Sequence, residues 1–167
     1  MRSLGAWLGF SALLVVLDQI TKFVIQRALV PGQSIDVLPP VVTLVLAYNP
    51  GAAFSFLASG SGWQRYFFLV IALVASVLII YMMIKHRSDR FLCFSFALVL
   101  GGAVGNLVDR AVYGVVVDFV LVRWPGGPRL FDPWPAFNLA DSCITVGAAL
   151  LIWDSFRRSR VKPLQER

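Results

Sequence analysis

Histidine, cysteine and charge are all scarce in this chain, and each scarcity closes off some chemistry. His86 is the only histidine and lies in the basic stretch Lys85–Arg90. That argues against a His-based triad and a His-rich metal site. Cys93 and Cys143 are the only cysteines, and neither has a metal-type partner nearby. The span assignment below sends them toward opposite membrane faces. A disulfide needs Cα atoms within ~7 Å, so no bridge is expected, and no metal or other cofactor. Charged residues make up 14% of the chain and hydrophobic residues 58%, with a mean hydropathy of +0.76. A soluble domain carries roughly 25% charged and 45–50% apolar residues. This is a membrane composition, sized for a single domain of a few spans. The net charge of +6 raises the question of nucleic acid, but the basic residues gather at the chain ends and in one short loop. They form topology signals rather than a groove, so nucleic acid is not an expected partner.

What the chain does have is long uncharged runs. Four of them predict transmembrane helices near residues 4–28, 66–84, 91–110 and 138–156. The first follows Arg2 and continues through Asp18-Gln-Ile-Thr-Lys22 with no small-x-small cleavage pattern, so it reads as a retained span. Four spans put both termini on one side, together with the Lys85–Arg90 loop. Nine of the fifteen Lys and Arg residues fall in those segments, which makes that side cytoplasmic by the positive-inside rule. The segments 30–65 and 111–137 then lie outside. Within them Ser34–Leu38, Val41–Tyr48 and Val115–Arg123 are β-branched and too short to span, and Arg129–Phe131 is a candidate returning strand. Ala52–Ser59 suits a short interfacial helix. The expected fold is therefore an α-helical membrane protein with four spans, a small extracytoplasmic β-sheet and that short helix.

Two aspartates stand out. Asp118 sits in the strand-like Val-Val-Val-Asp-Phe, and Asp141 lies three residues after Asn138, a good helix N-cap. A carboxylate at a helix centre costs ~2.5–3.5 kcal/mol to insert in a bilayer. Asp141 also has a blander explanation, since an acid in the first turn favours the helix dipole. Asp18 and Lys22 share a face at i, i+4, either as a simple ion pair or as braces for a polar site. Asn106 and Arg110 share a face too, with Asp109 beside them, and the plain reading there is a charge-paired helix end. Gly101-Gly102-Ala-Val-Gly105 allows close helix packing. Asn49-Pro50-Gly51 is a turn signal.

Depth decides between separate caps and a shared site. At 1.5 Å per residue, Leu4 to Asp18 climbs ~21 Å, and Phe91 to Asn106 and Phe156 to Asp141 climb ~22 Å each. In a hydrocarbon core of ~30 Å, all three polar groups reach one level ~8 Å below the outer surface. Such convergence is what a buried polar site requires, with Asp118 covering it from above.

Two carboxylates without histidine or metal ligands suit water activation, one acid taking a proton and the other giving one. They also suit proton or ion carriage, as in a small proton-coupled transporter. A Ser–Lys pair such as Ser55 with Lys22 has nothing to fix its geometry.

Five ordered motifs carry a resemblance to a known family. They are Asp18-Gln-Ile-Thr-Lys22, Tyr48-Asn49-Pro-Gly51-Ala-Ala-Phe-Ser55, Gly101-Gly-Ala-Val-Gly-Asn106-Leu-Val-Asp109-Arg110, Val117-Asp118-Phe119 and Phe137-Asn138-Leu-Ala-Asp141. Extending over all four spans, they closely resemble the bacterial lipoprotein signal peptidases, signal peptidase II. The resemblance implies an aspartyl endopeptidase of the bacterial inner membrane, embedded among its lipids. It would cut the signal peptide from diacylglyceryl-modified prolipoproteins just before the lipid-bearing cysteine. It implies that Asp118 and Asp141 are the catalytic dyad, and that Asp18, Lys22, Asn49, Gly51, Asn106, Arg110 and Asn138 support structure or substrate. It also implies inhibition by the cyclic peptide globomycin. The loop Trp124–Pro135 is longer than is usual in that family and carries Asp132, whose Pro-flanked, turn-like setting reads as a solvated loop acid.

Overall fold

The structure is a computed structural model, and it describes residues 3–51, 62–128 and 132–161. In chain order the elements are α1 (Leu4–Ala28), β1 (Ser34–Leu38), β2 (Val42–Asn49), α2 (Trp63–Lys85), α3 (Arg90–Val112), β3 (Val116–Val122), β4 (Trp134–Phe137) and α4 (Leu139–Val161). All four helices are long and apolar enough to cross a membrane.

The helix ends depart from the uncharged runs for physical reasons. Helix α2 starts at Trp63, not 66, because Gly62 in the left-handed region (φ 99°) caps it and a polar first turn is still helical. Helix α4 continues to Val161 rather than stopping at 156. Its last turns are held by Asp154, which pairs with Arg157 at 2.8 Å and with Arg158 at i+3 and i+4 spacing. Arg158 also pairs with Asp89, whose carboxylate caps α3 through the N–H groups of Phe91 and Leu92. Cys93 is buried at this end of α3 and Cys143 near the start of α4; both are free thiols.

Helix α3 is the central element, more than half buried along its span, and α1, α2 and α4 pack around it. Lipid tails are as apolar as leucine, so helices in a bilayer gain little from burying side chains and associate through close packing. The glycines provide it. A Cβ at Gly101 would stand 2.8 Å from Leu14 Cβ of α1, and one at Gly102 would stand 2.3 Å from the Ala140 carbonyl oxygen of α4. The outward faces remain apolar and exposed, as at Leu13, Ile20 and Phe23 of α1 and Val70, Leu73 and Val77 of α2. These are the surfaces that hydrocarbon covers.

The four strands form one antiparallel sheet in the order β1-β2-β3-β4 at one end of the bundle. The expected strands at 34–38, 41–48 and 115–123 are present within a residue or two. The fourth is Trp134–Phe137, later than the candidate at 129–131, which lies outside the described residues. Ala52–Ser59, the candidate interfacial helix, also lies outside them. Ile25 and Leu29 of the first helical segment pack with Leu46, Val117 and Phe119, which fastens the sheet to the bundle.

Candidate active site

Asp118 is delivered by β3. In the β2–β3 register it lies opposite Ala47, which puts Asn49, two residues on, diagonally across the same face. Asn49 Nδ2 donates to Asp118 Oδ2 at 3.1 Å. The Asn49 Oδ1 accepts the Gly51 N–H at 3.0 Å, an Asx turn that fixes the amide. Arg110 of α3 donates to the Gly51 carbonyl at 3.0 Å and lies over the Phe68 ring, so the turn is held from the helix side as well.

Asp141 is delivered by the first turn of α4, and its cap joins it to Asp118. Asn138 Oδ1 accepts the Asp141 N–H at 2.8 Å, and Asp141 Oδ2 accepts the Asn138 N–H at 3.3 Å. This is a reciprocal capping box. The Asn138 Nδ2 then donates to Asp118 Oδ1 at 2.8 Å. One residue thus caps the helix of one aspartate and holds the carboxylate of the other. The dipole role and the site role of Asp141 are therefore not alternatives; one geometry serves both.

Behind the pair lies a charged network. Lys22 Nζ contacts Asp18 Oδ2 at 2.7 Å, Asp109 Oδ2 at 2.9 Å and Asn106 Oδ1 at 3.0 Å. Those three acceptors match the three N–H bonds of the ammonium. Since lysine only donates, it fixes the Asn106 amide with oxygen toward Lys22 and nitrogen toward Asp141, where Nδ2 donates to Oδ1 at 2.8 Å. Lys22, Asp18, Asp109 and Asn138 are each at most 2% exposed. A buried ammonium needs such complete pairing, because an unpaired charge in this setting is costly. Gly105 makes room for it: a Cβ there would stand 2.8 Å from Asp18 Oδ2.

Burial pushes the Asp118 carboxyl up to about 7, and the nearby Asp141 charge pushes the same way. Hydrogen bonds from Asn49 and Asn138 and the Lys22 ammonium act in the opposite direction. A carboxyl poised near neutrality can hold or release a proton at working pH.

All nine expected site residues therefore meet in one cluster. Two more belong to it that the sequence reading did not place in the site. Asp109 is buried at the centre of the network rather than merely closing a helix. Gln19 Nε2 donates to Asp109 Oδ1 at 2.8 Å and to the Gly105 carbonyl at 3.2 Å. A signal was present: Asp109 lies about one turn outward from Asn106, as Lys22 does from Asp18, so equal depth paired them too. Asp132 stands apart from the cluster and accepts the Trp124 N–H at 3.1 Å, tying its own loop.

Fold and site together define a multi-pass membrane protein built around a pair of buried carboxyls. The profile of the signal peptidase (SPase) II family matches residues 10–157. A lipoprotein signal peptidase of Janthinobacterium sp. (strain Marseille) is 51% identical over 156 residues, 93% of this chain and 91% of that protein. The lipoprotein signal peptidase of Pseudomonas syringae pv. tomato is 50% identical over 161 residues, 95% of this chain and 91% of that one. A solved structure of a bacterial membrane enzyme superposes with a TM-score of 0.82 at 31% identity, covering 93% of this chain and 90% of the other. The chain belongs to the signal peptidase II family and is an aspartic endopeptidase of the membrane. That membership sets the transporter reading aside.

Proposed function

We propose that Asp118 and Asp141 are the catalytic pair with which this signal peptidase II cuts its substrate. The enzyme removes the signal peptides of lipoproteins at the lipid-modified cysteine. The observation that carries the assignment is the bridge through Asn138, whose side-chain amide donates to the Asp118 carboxyl and whose backbone N–H donates to the Asp141 carboxyl. Two carboxyls so close share one proton more readily than they ionise together. The ionised member takes a proton from water, whose oxygen attacks the scissile carbonyl carbon. The protonated member gives its proton to the carbonyl oxygen. The resulting diol collapses as the C–N bond breaks: the ionised carboxyl takes a proton from a diol hydroxyl, the protonated one gives its proton to the leaving nitrogen, and the pair again holds one proton. Asn49, Asn106 and Asn138 orient the carboxyls and carry no proton themselves. Asp18, Lys22, Gly51 and Arg110 hold those amides and the adjoining turn.

The bilayer explains the site's depth. A diacylglyceryl-modified cysteine keeps its chains in the membrane, so its peptide bond has to be cut near the interface. The signal peptide crosses as a helix, whose carbonyls are engaged in i to i−4 bonds. The cleavage segment therefore unwinds before attack, and an adjoining sheet offers backbone partners to an extended chain. We read the enzyme as an inner-membrane protein with both termini cytoplasmic and the site at the outer leaflet. The basic residues of the 85–90 loop and Arg157 and Arg158 of α4, at the end of the bundle away from the sheet, support this. Reporter fusions after Arg90 and after Pro128 test it, and equal compartments for both would refute it. Inhibition by the cyclic peptide globomycin is expected on the family likeness.

The deciding experiment is cleavage of a lipidated precursor peptide by purified enzyme. Asp118→Asn and Asp141→Asn should each remove nearly all turnover while the helical content stays that of the parent. Substantial cleavage by either folded variant would overturn the assignment.

A further inference from the structure

The residue before each proposed catalytic aspartate is gripped by a carboxylate from another helix. Val117 precedes Asp118, and its N–H donates to Asp109 Oδ2 of α3 at 3.0 Å. Its carbonyl accepts from Asn138 Nδ2 at 3.2 Å, so both backbone groups of Val117 are held by side chains. Ala140 precedes Asp141, and its N–H donates to Asp18 Oδ1 of α1 at 2.9 Å. Both gripping carboxylates are tied to the same ammonium, Lys22, at 2.7 and 2.9 Å. Asp109 and Ala140 are 0% and 1% exposed, so this connection is sealed from water.

We propose that Asp109 is a positioning residue for the reaction: with Asp18 and Lys22 it forms one clamp that sets how the Asp118 and Asp141 carboxyls stand relative to each other. This rests on reading those two as the catalytic pair. The clamp differs from ordinary packing in where it acts. It holds the backbone N–H of the residue that precedes each catalytic aspartate, and neither Asp109 nor Asp18 contacts the catalytic carboxyls through a hydrogen bond among the described residues. A small rotation at Val117 or Ala140 would swing a carboxyl away from the other, which costs turnover more than substrate binding.

The clamp also has a charge. One ammonium stands between two carboxylates, so the acids of the clamp outnumber its base. The charged groups around Asp118 are Lys22 and Asp18 on α1, Asp109 and Arg110 on α3, and Asp141 on α4; Asn49 on β2 is neutral. Removing the Asp109 charge makes these surroundings more positive, so Asp118 gives up its proton more easily.

The test is steady-state cleavage of a lipidated precursor peptide by the full-length enzyme in detergent or nanodiscs. Asp109→Asn is expected to lower kcat about tenfold or more with KM within about twofold, the split expected when an interaction specific to the transition state is lost. Its pH–kcat profile should move toward acid. A folded Asp109→Asn enzyme with parental kcat and an unmoved profile would overturn the clamp. Where Asp109→Asn fails to fold, Gln19→Leu takes its place. It removes the 2.8 Å hydrogen bond to Asp109 Oδ1 and keeps all three charges. It should lower kcat a few-fold at constant KM without moving the profile, and parental kcat would overturn the clamp. Asp118→Asn is assayed alongside. If it retains turnover, the pair itself is misassigned and the clamp falls with it. If it is inactive while the clamp variants are parental, only the clamp falls.

Discussion

Asp18 of α1 accepts the backbone N–H of Ala140 at 2.9 Å, so the first span caps the last one across 122 positions of chain. A cap is usually local, supplied by a Ser, Thr, Asp or Asn next to the helix it serves. Here the local cap, Asn138, takes the Asp141 N–H, and Asp18 takes the neighbouring donor. The start of α4 is thus doubly satisfied in a place where water is scarce.

This geometry sets the expected behaviour of Asp18→Asn. An amide oxygen can still accept from Ala140, but the charge opposite Lys22 is lost and Asp109 alone remains to balance it. Stability should fall by up to about 3 kcal/mol, less than the ~3–5 kcal/mol for leaving a buried charge unpaired, because Asp109 still balances Lys22. Cleavage should fall without vanishing in folded preparations. Thermal unfolding and turnover measured on the same preparation check both. A folded Asp18→Asn enzyme with no turnover would move Asp18 into the catalytic set.

Asp132 is the control for Asp118. It follows the same β3 strand into the long loop, yet its carboxylate is spent on the Trp124 N–H at 3.1 Å in an exposed turn. Asp132→Asn keeps an oxygen for that bond. Turnover of the lipidated peptide should stay within about twofold of the parent, in line with the small effects of surface substitutions. Loss of cleavage in Asp132→Asn with retention in Asp118→Asn would invert the assignment.

The raised Asp118 carboxyl also has a consequence for stability. Its ordinary value is 3.8 and burial lifts it to about 7. Between those values the native state holds a proton that the unfolded state has released. Stability therefore falls as pH rises through that window and levels off above it. Asp118→Asn removes the group that causes the loss. The variant should melt above the parent at pH 8, and the gap should close toward pH 4. Melting curves in detergent at pH 4, 6 and 8 read this directly; a gap that grew toward acid would have the wrong sign. Activity should follow a bell-shaped profile whose limits belong to Asp118 and Asp141 jointly.

Much of this was legible in the chain, because a bilayer simplifies the reading. Uncharged runs located the spans to within a few residues, and polar residues inside them had to have a reason. The common depth of Asp18, Asn106 and Asp141 pointed to one site, and their side chains do meet there through Lys22 and Asn106. Asp109 was harder, because an acid next to an arginine at a helix end has an ordinary explanation. Only the fold shows that its partners are Lys22, Gln19 and the Val117 N–H. β4 at Trp134–Phe137 was not foreseen for a similar reason. Trp-Pro-Ala-Phe has no alternating pattern, and it is a strand because β3 offers Val120 and Val122 as partners.

The glycines of α3 were read as aids to packing, and the structure makes the claim sharper. Gly102 faces the Ala140 carbonyl so closely that an added Cβ would lie 2.3 Å from it. The obstacle is backbone, so no side chain can rotate away, and α4 has to move instead. Ala140 lies between Asn138 and Asp141, so any retreat of α4 draws the capping box from Asp118 and the Ala140 N–H from Asp18. Gly102→Ala should therefore cost about 1–3 kcal/mol of stability, as overpacking does, and lower turnover as well. Gly9 of α1 supplies the comparison, since an added Cβ there meets nothing within 4 Å. Gly9→Ala should leave cleavage unchanged and stabilise slightly, as alanine favours the helix over glycine by about 1 kcal/mol. Melting temperature and turnover of the two variants separate the contributions. Parental behaviour in Gly102→Ala would mean that α4 is not pressed against α3 at the site, and the close approach that seats Asp141 beside Asp118 would have to be abandoned.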